Sequence, residues 1–176
     1  MILYHTHTWP PSSSAQNRQT DGNRWNVDEA KRLASRGVKE LLVIAQDSTS
    51  YGWDASPKTS LHELFSELDK IDQIEWLRLH YAHPSNLHRE MIKSFGRLNK
   101  LIPYIDMPIQ HGADKMLKIM KRGLKSDGIK KKIEALRNVN ENIAIRTSII
   151  VGHPGETDKE FQELLNFISD IEFDRL

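Results

Sequence analysis

Four short clusters carry most of the side chains in this sequence that could bind or react. Gln46 and Asp47 stand ahead of Ser48-Thr49-Ser50-Tyr51-Gly52; His80, Tyr81 and His83 precede Pro84; Gln110 and His111 precede Gly112; and Arg146 leads into Gly152-His153-Pro154-Gly155-Glu156-Thr157. Asp47, His80, His83, Asp106 and His111 have the donor types of a metal-assisted hydrolase. Arg146 sits within an apolar segment, where an arginine needs an anionic partner, and a carboxylate-bearing ligand would satisfy it. Gly152 and Gly155, ahead of a helix start, let backbone N–H groups meet an anion. Plainer readings stand beside each of these. Asp47 suits a turn through side-chain to backbone bonds, the two glycines suit a tight strand-to-helix connection, and each histidine suits a polar rim. His5 and His7 fall on one face of an extended segment but have no third ligand. Cysteine is absent, which excludes disulfides, thiolate catalysis and cysteine-ligated iron–sulfur clusters in this chain.

The elements that position these clusters follow from hydrophobic spacing. Continuous apolar runs predict strands over 40–45, 74–80, 101–107 and 144–151, the last the strongest. Helical spacing predicts a helix capped by Asn26 with Gly37 just past its end, and further helices over 60–70, 85–95 and 113–120. Ser126 is the expected cap of the next, and Thr157-Asp158-Lys159-Glu160 is a capping box for the last. Strand and helix alternate, and the crossovers are long enough for parallel pairing, so the class is α/β. Each polar cluster follows a strand, where parallel α/β folds bind their ligands. A closed eightfold barrel takes about 250 residues, so 176 build only part of one or a small open sheet. Residues 171–176 read as a strand beginning where the chain stops.

Composition narrows the partners. With 25 basic against 24 acidic residues the formal charge is +1, which offers no field for generic DNA binding. No apolar run approaches the roughly 20 residues of a membrane helix, and no signal-peptide stretch follows Met1, so a cytoplasmic protein without membrane contact is expected. Residues 1–25 hold little to bury and read as a disordered or non-native arm. Residues 26–176 form the expected domain.

Five blocks, in order, carry a family resemblance: residues 44–52 (IAQDSTSYG), 75–84 (EWLRLHYAHP), 104–111 (YIDMPIQH), 120–123 (MKRG) and 146–157 (RTSIIVGHPGET). Together they resemble the radical S-adenosylmethionine core of the methylthiotransferases, over roughly residues 26 to 176. Their wording is closest to the branch that adds a methylthio group to an aspartate of a small-subunit ribosomal protein. The resemblance implies an incomplete parallel (βα) barrel with S-adenosylmethionine across its strand ends, and a ribosomal protein as partner. By that resemblance Gln46 and Asp47 lie near the methionine amino group and Arg146 near its carboxylate. Gln110 and His111 line the groove, and Gly152 through Glu156 form the wall beside the adenosine. The family also carries a 4Fe-4S cluster, held by three cysteines in a C-x-x-x-C-x-x-C loop after the first barrel strand. The stretch before Asn26 has none of them. The expectation is therefore a fragment of such an enzyme, inactive by itself, with a reading-frame shift or false start behind its first residues. Two other readings remain: a non-catalytic module binding S-adenosylmethionine or a ribosomal protein, and the metal-dependent hydrolase.

Overall fold

A computed structural model describes residues 2–5, 23–53 and 58–176. Five parallel strands, β1 (Ile2–His5), β2 (Glu40–Ala45), β3 (Trp76–Leu79), β4 (Leu101–Asp106) and β5 (Ala144–Arg146), pair in sequence order. The helices are α1 (Asn23–Ala34), α2 (Leu61–Leu68), α3 (Arg89–Arg97), α4 (Asp114–Ile119), α5 (Ser126–Val139) and α6 (Asp158–Ile171). No helix among the described residues is long and apolar enough to cross a membrane.

Strand order that follows the chain, with right-handed crossovers, puts the helices on one face of the sheet, as in part of a barrel wall. Burial alternates to match. Leu41 and Val43, Leu77 and Leu79, Ile105 and Ile145 are buried in one core with Phe65, Leu68, Phe95, Ile133 and Leu136 from the helices. Their strand neighbours Glu40, Arg78, Tyr104, Asp106 and Arg146 project from the other face, helix-free among the described residues, where they meet one another. The two capping boxes form as their sequences require, Ser60 with Glu63 and Thr157 with Glu160. Hydrogen bonds from Thr157 and then Lys115 hold the Glu160 carboxyl at about 2.

Several boundaries differ from the sequence reading, each for a tertiary reason. Residues 2–5 do not belong to a structureless arm: they pair in parallel with residues 42–45 and cover what would be an unpaired edge of β2. Asn26 is not a cap, because α1 starts three residues earlier. It is 6% exposed and donates from Nδ2 to the Tyr51 hydroxyl at 2.8 Å. The helix expected over 85–95 is split into a 3-10 turn at Pro84–Asn86 and α3, with buried Leu87 in extended backbone between them. Ser126 is the first residue of α5 instead of its cap, since its N–H and hydroxyl both donate to Asp114, at 2.8 and 2.9 Å.

The strand expected over 144–151 is the largest departure. It stops at Arg146, because Thr147 places its hydroxyl in the ladder, donating to the Met107 carbonyl at 3.0 Å and accepting from the Ile109 N–H at 3.2 Å. The Thr147 N–H turns outward to the Arg175 carbonyl. Pairing with the β4 side resumes only as a single bridge, Gln110 with Ile149. On the other side Arg175 bridges Arg146 in parallel, so the expected terminal strand is present as that one pairing.

Candidate functional site

The polar residues of the helix-free face converge at the carboxyl ends of β3, β4 and β5. Asp106 and Arg146 are direct register partners on neighbouring strands, so their side chains leave the sheet on the same side. Arg146 donates to Asp106 Oδ1, and the other carboxylate oxygen faces His80 Nδ1 at 3.9 Å. The Asp106 side chain is 1% exposed while that of Arg146 is 44% exposed, so the anion is sealed in and the cation keeps an open edge. The Asp106 bond holds Arg146 still more firmly in its charged form. His80 is pushed the other way: burial, with Arg78 and Arg146 nearby, lowers its pKa against the pull of Asp106, leaving a neutral imidazole at pH 7. Its Nε2 is buried and has no hydrogen-bond partner among the described residues.

The backbone beside Arg146 is held in an uncommon shape. Gln110 adopts φ +75°, a left-handed conformation that strains a residue with a side chain. Two hydrogen bonds to the opposite segment pin it, its N–H to the Ser148 carbonyl at 3.0 Å and its carbonyl from the Ile150 N–H at 2.8 Å. Next to it His111 is wholly buried. Its Nδ1 accepts from the Ala113 N–H at 2.9 Å, so in the neutral ring the proton is on Nε2, which faces Glu156 Oε1 at 3.5 Å. Glu156 Oε2 accepts from the His153 N–H at 3.1 Å, closing the turn that carries Gly152 at φ +71° and Gly155 at φ +92°. A Cβ at Gly152 would meet nothing, so that wall is open. Ile150 and Val151, 43% and 60% exposed, give it an apolar surface.

Asp47 lies in a different network. It caps the 3-10 turn Ser48–Ser50 and accepts from the Thr49 N–H and hydroxyl, from Ser50 Oγ at 2.6 Å and from Asn86 Nδ2 at 2.8 Å. Burial alone would raise its pKa, but the hydrogen bonds from Ser50, Thr49 and Asn86 outweigh it and hold the carboxyl below the usual range. With both oxygens occupied, Asp47 makes the turn and ties it to the chain 39 residues on. Gln46 beside it is exposed. A cleft of about 470 Å³ opens nearby, between this turn and the starts of α2 and α3, lined by Tyr51, Trp53, His62 and Met91 among others. It does not include the residues around Arg146.

The structure therefore ties Gln110 to residues 148–150 and His111 to Glu156, on the segment that follows Arg146 and carries Gly152, and gives Gln46 and Asp47 a turn of their own. The five residues expected of a metal-dependent hydrolase do not come together. Among the described residues no three His, Asp or Glu side chains are grouped to hold a metal ion, and the side chains of His5 and His7 lie outside those described. The sequence reading missed Asp106 as the partner of Arg146, and the adjoining Tyr104 and Arg78. Their signal was the alternation of polar residues inside apolar strands, Arg78 with His80 and Tyr104 with Asp106, which marks one sheet face as facing a ligand or solvent.

The model of the Radical SAM superfamily matches residues 26–168. The ribosomal protein uS12 methylthiotransferase RimO of Clostridioides difficile is 44% identical over 150 residues, which are 85% of this chain and 34% of that protein. The protein of the same description from an Anaeromyxobacter species is 45% identical over 150 residues, 32% of its length. The chain thus spans about a third of the length of these curated relatives. Among solved structures, the radical S-adenosylmethionine methyltransferase TsrM of Kitasatospora setae, with cobalamin and a [4Fe-4S] cluster bound, superposes with a TM-score of 0.62 at 15% identity. That match covers 84% of this chain and 28% of TsrM. Archaeal Elp3 from Methanocaldococcus infernus gives 0.51 at 14% identity, over 99% of this chain and 44% of Elp3. At those identities the likeness is one of fold.

Proposed function

The chain belongs to the Radical SAM superfamily, and from that membership we propose that it forms the part of a methylthiotransferase core that holds S-adenosylmethionine at the ends of β4 and β5. The observation that carries the reading is the open guanidinium edge of Arg146, backed by sealed Asp106, at the end of the strand that leads into the Gly152 to Glu156 turn. Arg146 binds the methionine carboxylate. Gln110 fixes the wall, His111 supports Glu156, and Ile150 and Val151 receive the adenine. S-adenosylmethionine supplies a sulfonium bearing adenosyl and methyl groups. The partner in this reading is ribosomal protein uS12, through an aspartate, which places the protein in the cytoplasm.

A 4Fe-4S cluster does not fit this chain. Such clusters are held by thiolates, the 176 residues include no cysteine, and no substitute donor group is gathered among the described residues. The chain alone therefore binds the adenosyl ligand without reductive chemistry. Titration calorimetry tests the reading: S-adenosylmethionine binds the purified chain, and Arg146→Ala weakens binding by about 2 kcal/mol, roughly 30-fold, through loss of a charge-assisted contact. Unchanged affinity in Arg146→Ala, with a folded variant, removes Arg146 from the site.

A further inference from the structure

The helix-free face carries charge that the adenosyl reading does not use. Arg78 pairs with Glu40 through both Nε and Nη2, each 2.7 Å from Oε1, and its guanidinium carbon stands 5.2 Å from the centre of the Tyr104 ring. Arg146 pairs with Asp106. Arg175, bridged to Arg146 in parallel, leaves the sheet on the same side, is exposed, and has no side-chain partner among the described residues. The Tyr104 hydroxyl, half-buried among these arginines, has no hydrogen-bond partner there either. Burial and then the Asp106 carboxylate raise its pKa, so it remains a neutral donor. At the level of Tyr104 the next strand carries only Ala144, which leaves room beside the ring.

We propose that Arg175, Arg78 and the Tyr104 hydroxyl form a receiving site for one carboxylate, that of an acidic side chain in a substrate peptide. Among the described residues Arg78 and Arg146 are each ion-paired with a carboxylate, and the Arg175 guanidinium is not. A single negative charge pairs with Arg175, and a phosphate dianion carries one charge more than that guanidinium matches. Arg175 supplies a two-pronged donor edge, Tyr104 a third hydrogen bond, and Arg78 the positive background. The proposal rests on the functional reading above, which it deepens by naming where the acidic residue of the substrate docks. It does not require bound S-adenosylmethionine.

The test uses the full chain without S-adenosylmethionine and follows its NMR spectrum during titration with N-acetyl-aspartate N-methylamide. The asparagine analogue and inorganic phosphate serve as the other arms. The aspartate compound is expected to shift Tyr104 and Arg175 signals saturably, the asparagine analogue to leave them in place, and phosphate to bind more weakly than the aspartate compound. Arg175→Gln, whose side chain is exposed and has no partner among the described residues, weakens the binding about fivefold, and Tyr104→Phe, which removes only the hydroxyl, about threefold. Lys118→Gln, on the exposed side of α4, changes nothing. Equal response to aspartate and asparagine compounds, tighter binding of phosphate, or full affinity in both site variants overturns the proposal. Because S-adenosylmethionine binding is measured separately, failure here is distinguishable from failure of the adenosyl reading.

Discussion

Reconstituted anaerobically with ferrous iron and sulfide and then desalted, the chain is expected to come back colourless and free of iron. The expectation follows from chemistry at the ligand atoms. Iron–sulfur clusters need soft thiolate donors, and imidazole or carboxylate replaces them only where the fold groups such side chains around one point. Here cysteine is absent from all 176 residues, His80 faces Asp106, and His111 is sealed against Glu156. His83 is occupied by the Ser85 hydroxyl at 2.8 Å from Nδ1. Stoichiometric iron with a thiolate-like charge-transfer band would contradict the account.

Asp47→Ala is expected to lower stability by roughly 2 kcal/mol while leaving the affinity for S-adenosylmethionine unchanged. Asp47 accepts four hydrogen bonds that join the turn at Ser48–Ser50 to Asn86, and truncation leaves those donors without an acceptor. The four bonds would suggest a larger loss, but the carboxylate is only half-buried and water replaces part of what is removed. Chemical denaturation measures the loss and calorimetry the affinity. The pH dependence has a definite sign. The folded-state pKa lies below the ordinary carboxylate value, so the Asp47 contribution is complete above that value and disappears as pH falls through the lowered one. Wild type and Asp47→Ala should converge in stability over that acid range. Lost ligand affinity with stability intact would return Asp47 to the ligand, as the family resemblance implied.

The residues that could be read from sequence are those whose role is decided within a few positions. Thr157 and Glu160 form their capping box because the two partners are one helical turn apart, and 40–45 form β2 because an unbroken apolar run fits a strand buried among neighbours. The siting of Arg146 and the glycine turn at strand ends follows from the same local alternation. What could not be read is decided by partners far along the chain. The Thr147 hydroxyl ends β5 by entering a ladder 40 residues away, and Asn26 leaves its capping role for Tyr51, 25 residues on. The anion expected for Arg146 turned out to include one within the chain, Asp106, 40 residues distant. In a parallel sheet neighbouring strands are separated by a helix, so side-chain pairing of this kind is invisible to spacing along the sequence.

The proposed function is adenosyl-ligand binding at the ends of β4 and β5 without the redox chemistry of the superfamily. The most direct measurement incubates the purified chain anaerobically with S-adenosylmethionine, iron, sulfide and dithionite, then separates bound ligand and quantifies the adenosyl compounds by chromatography. The account predicts S-adenosylmethionine retained by the wild-type chain, diminished in Arg146→Ala, and recovered intact from both. Release of 5′-deoxyadenosine in proportion to the protein would contradict it.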